Sequence, residues 1–169
     1  MAPRPVLQFP HPALKRRARP LETGDHAEAE RVAADLLDTM AAHAGCVGLA
    51  APQLGDLVRI VVVDVRGHRT VTTSNGLLVL VNPEVGSQSG SEVAREGCLS
   101  IPRLTANVRR ATRVEVRAQA PGGAGIELVS EGFEARCLLH EIDHLDGLLF
   151  LDRVDSLRTD VFRRKRQAT

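Results

Sequence analysis

Four runs of β-type residues in the middle of the chain constrain its fold more than any other feature. They are VRIVVVDV (58–65), LLVLVNPEV (77–85), RVEVRAQA (113–120) and IELVSEGF (126–133). The turn signals RGHR, SNG, GSQSG and PGGAG lie between them. Because the strands come as a group, with helical patterns on either side of it, the sequence predicts an α+β fold with largely antiparallel β-sheets.

Two helical patterns flank this group of strands. In DHAEAERVAADLLDTMAAHAG (25–45) the apolar residues follow helical spacing, Asp25 can cap the start and Gly45 can end the helix. The second pattern, CLLHEIDHLDG (137–147), follows the last strand. We expect the sheets to surround this central helix. The final basic segment, DSLRTDVFRRKRQAT (155–169), predicts a short C-terminal helix.

The composition is ordinary for a soluble protein, with 43% hydrophobic and 25% charged residues. A chain of 169 residues can bury most of its apolar surface as one unit, so we expect residues 1–169 to form a single domain. No apolar run approaches the roughly 18 residues of a membrane span, and the N-terminus lacks the apolar centre of a signal peptide. We therefore expect a cytoplasmic protein without membrane contacts.

The charge pattern argues against a nucleic-acid partner. The net charge is +1, and four Phe without Tyr or Trp offer little for base stacking. We interpret the basic clusters KRRAR (15–19) and RRKR (163–166) as solvated ends, not as a binding groove. We therefore expect no contact with DNA.

The motif HEIDH within the second helix indicates a metal site. His140 and His144 are four residues apart, so on a helix they lie on the same face and can share one ion. Glu141 is rotated by about 100° from His140 and is placed to reach a water beside the metal. The alternative is an amphipathic helix whose histidines pair with its own acidic residues.

A catalytic metal with two histidine ligands needs a third, and a cysteine thiolate is one candidate. Cys137 lies three residues before His140, Cys46 precedes the loop VGLAAPQLG, and Cys98 lies in REGCLSIP among small residues. A free cysteine is usually a buried apolar thiol. The odd number of three cysteines fits reduced thiols, and spacing alone does not separate Cys98 from the other two.

Three ordered motifs resemble the signatures of the peptide deformylase family. They are VGLAAPQLG (47–55), EGCLS (96–100) and HEIDHL (140–145). The opening VLQFPHPALKRRARPLE resembles the family's N-terminal strand and Pro-rich turn, and GLLFLDRVDS its segment after the metal helix. The resemblance covers nearly the whole chain. It implies removal of the formyl group from the N-terminal formyl-methionine of nascent proteins, with release of formate.

The resemblance also implies a role for each matching residue. The metal ligands would be Cys98, His140 and His144, which leave the fourth position open, and Glu141 would be the general acid and base. The side-chain amide of Gln53 and the backbone N–H of Leu99 would donate to the oxyanion. The substrate-binding positions would be Val47, Gly48 and Gly97, which pair with the extended peptide, and Cys137, on the wall of the methionine pocket.

The chain departs from the family pattern at two positions. Cys46 occupies a position where the first motif usually begins with Gly, and Leu139 occupies a position that is usually Gln, just before the first histidine. Neither residue replaces a ligand, the base or an oxyanion donor. We expect these departures to affect the level of activity and not the type of reaction.

We also expect a divalent metal cofactor and two partners. A Cys/His₂ set suits several metals, and the resemblance implies Fe²⁺, for which Zn²⁺, Ni²⁺ or Co²⁺ can substitute. Besides N-formylmethionyl nascent peptides, the ribosome is a candidate partner through the basic C-terminal segment. The alternatives are a zincin-like endopeptidase, which HExxH usually indicates, and a non-catalytic relative that only binds metal or ribosome.

Overall fold

The computed structural model describes residues 3–164 and contains two α-helices, eight strands and short 3₁₀ helices within that range. The helices are α1 (His26–Ala42) and α2 (Gly132–Leu145). The strands are β1 (Gly48–Ala50), β2 (Ile60–Val63), β3 (Leu78–Ser89), β4 (Glu92–Cys98), β5 (Ile101–Arg110), β6 (Arg113–Gln119), β7 (Gly125–Glu131) and β8 (Val161–Arg163).

The strands form two sheets. The larger has five strands in the order β1-β2-β3-β6-β7, and the smaller has three in the order β4-β5-β8. Every neighbouring pair in both sheets is antiparallel. The prediction of an α+β fold with largely antiparallel sheets is confirmed.

Strand β2 is buried on both faces because the two helices pack on opposite sides of it. Val61 and Val63 pack in one apolar cluster with residues of α2, whereas Ile60 and Val62 pack in a second cluster with residues of α1. Successive side chains of a strand point to opposite faces, so a continuous apolar run fits a strand that is covered on both. This packing makes α2 a central helix, as the sequence predicted.

A third apolar cluster holds the smaller sheet in place. Cys98, Ile101 and Val108 from β4 and β5 pack there with Leu14 and Phe150, which come from two 3₁₀ helices. Cys98 is therefore buried at the end of β4, where the chain turns directly into β5. The turn brings the thiol towards α2.

The sequence patterns did not predict β4 and β5, two strands of the smaller sheet. In β4 and β5 the inward positions include the charged residues Glu96 and Arg110, so hydrophobic residues do not alternate with polar ones in the expected way. The GSQS segment also belongs to β3 and is not a turn. Near the N-terminus the structure has a 3₁₀ helix, Pro12–Lys15, and no strand within residues 3–11.

The prediction of a short C-terminal helix is wrong for the part of that segment that the structure describes. Residues Val161–Arg163 form β8, which pairs with Leu104, Thr105 and Ala106 of β5. The edge of β5 offers unpaired backbone groups, which a segment of three residues satisfies more readily as a strand than as a helix of one or two turns. Residues 165–169 lie outside the described residues.

Between residues 3 and 164, neither helix has the length and apolar character needed to cross a membrane.

Candidate active site

A cleft opens between the first strand of the larger sheet, the smaller sheet and the central helix. Nine of the ten predicted site residues line it: Val47, Gly48, Gln53, Gly97, Cys98, Leu99, Cys137, His140 and Glu141. The tenth, His144, lies next to Cys98, with 3.4 Å between its Nε2 atom and the Cys98 Sγ atom. Residues from three separate motifs therefore meet at one place.

Cys98, His140 and His144 form a group that could hold a metal ion. Their ligand atoms all lie within 4.8 Å of one another, and all three side chains are buried. Among the residues that the structure describes, Cys46 and Cys137 belong to no such group. Of the three cysteines that spacing alone left open, the structure groups only Cys98 with the two histidines within residues 3–164.

The electrostatics of this group favour a thiolate. Burial alone would raise the pKa of the Cys98 thiol, but the charge of His144 and hydrogen bonds with both histidines outweigh burial and hold the pKa well below its usual value. A thiolate with two imidazole nitrogens is a donor set that binds zinc or ferrous iron. The residues present therefore fit a metal with an open coordination position.

Glu96 orients His140 from behind, and the sequence analysis missed it. His140 Nδ1 lies 2.9 Å from Glu96 Oε2, so its Nε2 atom is left for a metal. Arg110 Nε donates to Glu96 Oε1 at 2.6 Å, and an Arg136 nitrogen donates to the same oxygen at 2.9 Å. A signal existed, because Glu96 is two residues before Cys98 on one strand and such residues point to the same face.

The charge of Glu96 is stabilised by these partners. Burial opposes ionisation, but hydrogen bonds from His140 and Arg110 and the charge of Arg110 lower the pKa of Glu96 to about 2. Arg110 also donates to Asp143 at 2.8 Å, and Arg153 donates to the other oxygen of Asp143 at 2.7 Å. The network connects β4 and β5 to the metal helix, and Glu96 and Arg136 within it also line the cleft.

Glu141 is a buried carboxyl group at the floor of the cleft. Its Oε2 atom has no hydrogen-bond partner among residues 3–164. Burial raises the pKa of Glu141 to about 7, although the neighbouring His140 and His144 oppose the rise. A carboxyl group with such a pKa can both accept and deliver a proton near neutral pH.

Gln53 is held by hydrogen bonds at both ends of its amide. Its Oε1 atom accepts from the Ala50 backbone N–H at 2.9 Å, and its Nε2 atom donates to Ser100 Oγ at 3.1 Å and to Cys98 Sγ at 3.4 Å. The amide N–H₂ is therefore directed at the metal group. Leu99 lies in the turn between β4 and β5, next to Cys98, and lines the same cleft.

The two glycines at the predicted peptide-binding positions lie close to the side chains of Glu141 and Arg164. A Cβ atom on Gly48 would lie 2.7 Å from Glu141 Oε1, and a Cβ atom on Gly97 would lie 2.8 Å from an Arg164 guanidinium nitrogen. Cys137 is buried in the wall of the cleft, and burial raises the pKa of its thiol. A side chain larger than hydrogen at Gly48 would therefore displace the Glu141 carboxylate.

The two departures from the family pattern have different surroundings. The Cys46 thiol donates to the Gly48 carbonyl at 3.1 Å, and burial together with the Glu141 charge raises its pKa to about 11. Leu139 points into the apolar cluster around α2 and is 9% exposed. Cys46 thus lines the cleft, whereas Leu139 belongs to the core.

Comparisons with known proteins agree over nearly the whole chain. Residues 3–160 match the family model described as polypeptide deformylase. A peptide deformylase of Thermodesulfovibrio yellowstonii is 36% identical over 160 residues, which cover 95% of this chain and 94% of that protein. A crystal structure of a peptide deformylase from Legionella pneumophila is 40% identical with a TM-score of 0.82, and covers 93% of this chain and 89% of its own. The Met-Ala-Ser bound crystal structure of a class I type b peptide deformylase from Acinetobacter baumannii is 33% identical with a TM-score of 0.84, and covers 90% of this chain and 100% of its own.

Proposed function

Because the chain belongs to the polypeptide deformylase family, we propose that it hydrolyses the formyl group from the N-terminal formyl-methionine of nascent polypeptides and releases formate. The observation that carries this proposal is the convergence in one cleft of a Cys/His₂ group, a buried carboxyl group and an oriented amide. Each of these groups matches a requirement of amide hydrolysis.

Cys98, His140 and His144 would hold the metal, which we propose to be Fe²⁺ with Zn²⁺, Ni²⁺ or Co²⁺ as substitutes. A divalent ion in such a site supplies Lewis acidity, which makes hydroxide available near neutral pH. Glu96 would keep the His140 ring in the orientation that turns Nε2 towards the ion. The donor set and the low pKa of the Cys98 thiol support this assignment.

Glu141 would move the proton during the reaction. As a carboxylate it takes a proton from the attacking water, and as a carboxylic acid it delivers that proton to the nitrogen of the leaving methionine. Its pKa of about 7 and its unpartnered oxygen support both steps. The transfer leaves a neutral amine and regenerates the carboxylate.

Gln53 and Leu99 would stabilise the oxyanion that forms when water adds to the formyl carbon. The Gln53 amide is already oriented by Ala50 and Ser100, so little reorganisation is needed when the negative charge develops. The Leu99 backbone N–H would be the second donor. Hydrogen bonds that strengthen as the charge develops lower the barrier, whereas equal binding of substrate does not.

The substrate would lie extended in the cleft. We propose that its backbone pairs with Val47, Gly48 and Gly97, at the edges of β1 and β4, and that the methionine side chain contacts Cys137. The edge position of β1 and β4 in their sheets supports this arrangement. We further propose a cytoplasmic location and a ribosome contact through the basic C-terminal segment, where Arg163 and Arg164 are exposed.

The proposal is tested by incubating the purified protein anaerobically with formyl-Met-Ala-Ser and with casein, and by measuring bound metal in the same preparation. We expect formate release from the peptide, no cleavage of casein and about one divalent ion per chain. Casein fragments without formate would indicate the endopeptidase instead. Metal binding without either product would indicate the non-catalytic relative.

A further inference from the structure

The mouth of the cleft carries more positive than negative charge. Five exposed arginines line it, and we call them the rim arginines: Arg69, Arg95, Arg103, Arg163 and Arg164. Of the acidic residues that line the cleft, Glu141 is buried at the floor, Glu96 is bound by Arg110 and Arg136, and Glu92 is exposed. The exposed rim therefore has an uncompensated positive charge.

The rim arginines differ from most other arginines in lacking acidic partners. Within residues 3–164, seven arginines have no carboxylate at ion-pair distance, and five of these are the rim arginines. The other two are Arg16 and Arg158, which are exposed and do not line the cleft. Within residues 3–164, unpaired guanidinium groups are thus concentrated at the mouth of the cleft.

Arg164 lies directly beside the proposed peptide-binding strand. One of its guanidinium nitrogens is 2.8 Å from the position that a Cβ atom on Gly97 would take. Its backbone N–H donates to the Arg103 carbonyl at 2.8 Å, which holds this part of the chain next to β5. A peptide paired with β4 at Gly97 would pass within reach of this charge.

Arg95 is held in place by neutral groups. Its guanidinium lies 3.6 Å from the centroid of the Phe162 ring, Nε donates to Asn107 Oδ1 at 3.0 Å, and Nη1 donates to Thr105 Oγ1 at 3.2 Å. None of these partners neutralises its charge, and within residues 3–164 no hydrogen bond uses the Nη2 atom. A planar guanidinium that is already positioned loses little entropy when it binds a carboxylate.

We infer that the rim arginines select N-formylmethionyl peptides that carry aspartate or glutamate among the first residues after methionine. The inference rests on the proposed function, because it assigns the mouth of the same cleft to the part of the peptide chain that follows methionine. A positively charged cleft raises the local concentration of an acidic peptide. Each exposed carboxylate–guanidinium pair adds about two- to five-fold in affinity.

The test uses formyl-Met tetrapeptide amides in which one of the three residues after methionine is Asp, Asn or Lys and the other two are Ala. Amidation removes the C-terminal carboxylate, which would otherwise bind the same arginines. The measured quantity is kcat/KM for formate release. We expect a preference for Asp over Lys of about ten-fold at the most responsive position, which decreases as salt rises.

Alanine variants test whether the rim arginines cause the preference for Asp over Lys. Arg103→Ala and Arg164→Ala should each reduce the ratio of kcat/KM for Asp to that for Lys by about two- to five-fold. Arg16→Ala and Arg158→Ala remove the same charge from positions outside the cleft and should leave the ratio unchanged. Far-UV circular dichroism shows whether each variant is folded.

The possible failures are distinguishable. If no formyl peptide yields formate, the proposed function fails. If all three peptides are turned over equally, or if the rim variants and the controls change the ratio to the same extent, the inference is overturned while the proposed function stands. Equal turnover together with loss of co-sedimentation with ribosomes in Arg103→Ala and Arg164→Ala would assign the rim to RNA instead.

Discussion

At the scale of single residues, Glu141 has the surroundings of a proton carrier. It is buried, one oxygen lacks a partner among the described residues, and its pKa is about 7. We expect Glu141→Gln to keep the metal, because no ligand changes, and to lose about 10²–10⁴-fold in kcat, the usual contribution of general acid–base catalysis. Metal analysis and formate release measure the two quantities, with Glu127→Gln on the exposed strand β7 as the control. Near-normal turnover would make Glu141 structural.

Gln53 offers a second test at this scale, because one of its partners can be removed separately. We expect Gln53→Leu to lower kcat by about 10²–10³-fold, as for other lost oxyanion donors, with smaller changes in KM and metal content. Ser100→Ala removes the hydroxyl that helps to orient Gln53 but leaves the amide in place, so we expect it to lower kcat less than Gln53→Leu does. An unchanged kcat with a raised KM would mean that Gln53 binds the ground state.

At the scale of secondary-structure elements, the metal group depends on the end of β4 reaching one face of α2. We expect Cys98→Ala to lose both the bound metal and the activity, because two ligands bind a divalent ion much more weakly than three. Cys137→Ala and Cys46→Ala serve as controls that should keep the metal. Metal content is read by atomic emission after gel filtration. Full metal content in Cys98→Ala would move the third ligand to another residue.

The close approach of β1 to α2 gives another prediction for the elements. In Gly48→Ala the new methyl group would lie 2.7 Å from Glu141 Oε1, so the carboxylate has to move. A displacement of about 1 Å of a catalytic group costs on the order of 10²-fold in rate, and the metal should stay bound. Gly86→Ala in β3 is the control, because its nearest contact would be 3.4 Å. Equal activity of both variants would contradict the tight contact.

At the scale of the whole molecule, Glu96 connects the smaller sheet to the central helix through Arg110, Arg136 and His140. Its pKa of about 2 is lower than the ordinary value of about 4.3, so its charge stabilises the fold above pH 4.3 and this stabilisation is lost as pH falls towards 2. In metal-free protein we expect the urea concentration at the midpoint of unfolding to decrease as the pH is lowered from 5 to 2.

Measuring the urea midpoint of Glu96→Gln over the same pH range isolates the contribution of Glu96. The glutamine cannot ionise, so the midpoint should fall less steeply with acid than in the unchanged protein. In the unchanged protein the Glu127 carboxylate forms an exposed pair with Arg117. Glu127→Gln should therefore retain the full dependence of the urea midpoint on pH. Parallel curves for Glu96→Gln and the unchanged protein would show that other groups cause the loss.

The local patterns of the sequence determined the elements that depend only on near neighbours. The i, i+4 spacing placed His140 and His144 on one helix face because helical period is a local property. The group of apolar runs predicted the strands of the larger sheet except β1, and their grouping predicted antiparallel pairing. The single domain of residues 1–169 stays a prediction.

Contacts between distant segments were decided only by the tertiary structure. Spacing left Cys46, Cys98 and Cys137 equal as third ligands, and the turn from β4 to β5 brings only Cys98 to the histidines in the described chain. Glu96 and Arg110 are charged residues at inward positions, so β4 and β5 lack the hydrophobic alternation that predicts a strand. Strand β8 formed where a helix was expected because β5 offered an open edge. A side chain's partners across the chain depend on packing, which the periodicity of one segment does not contain.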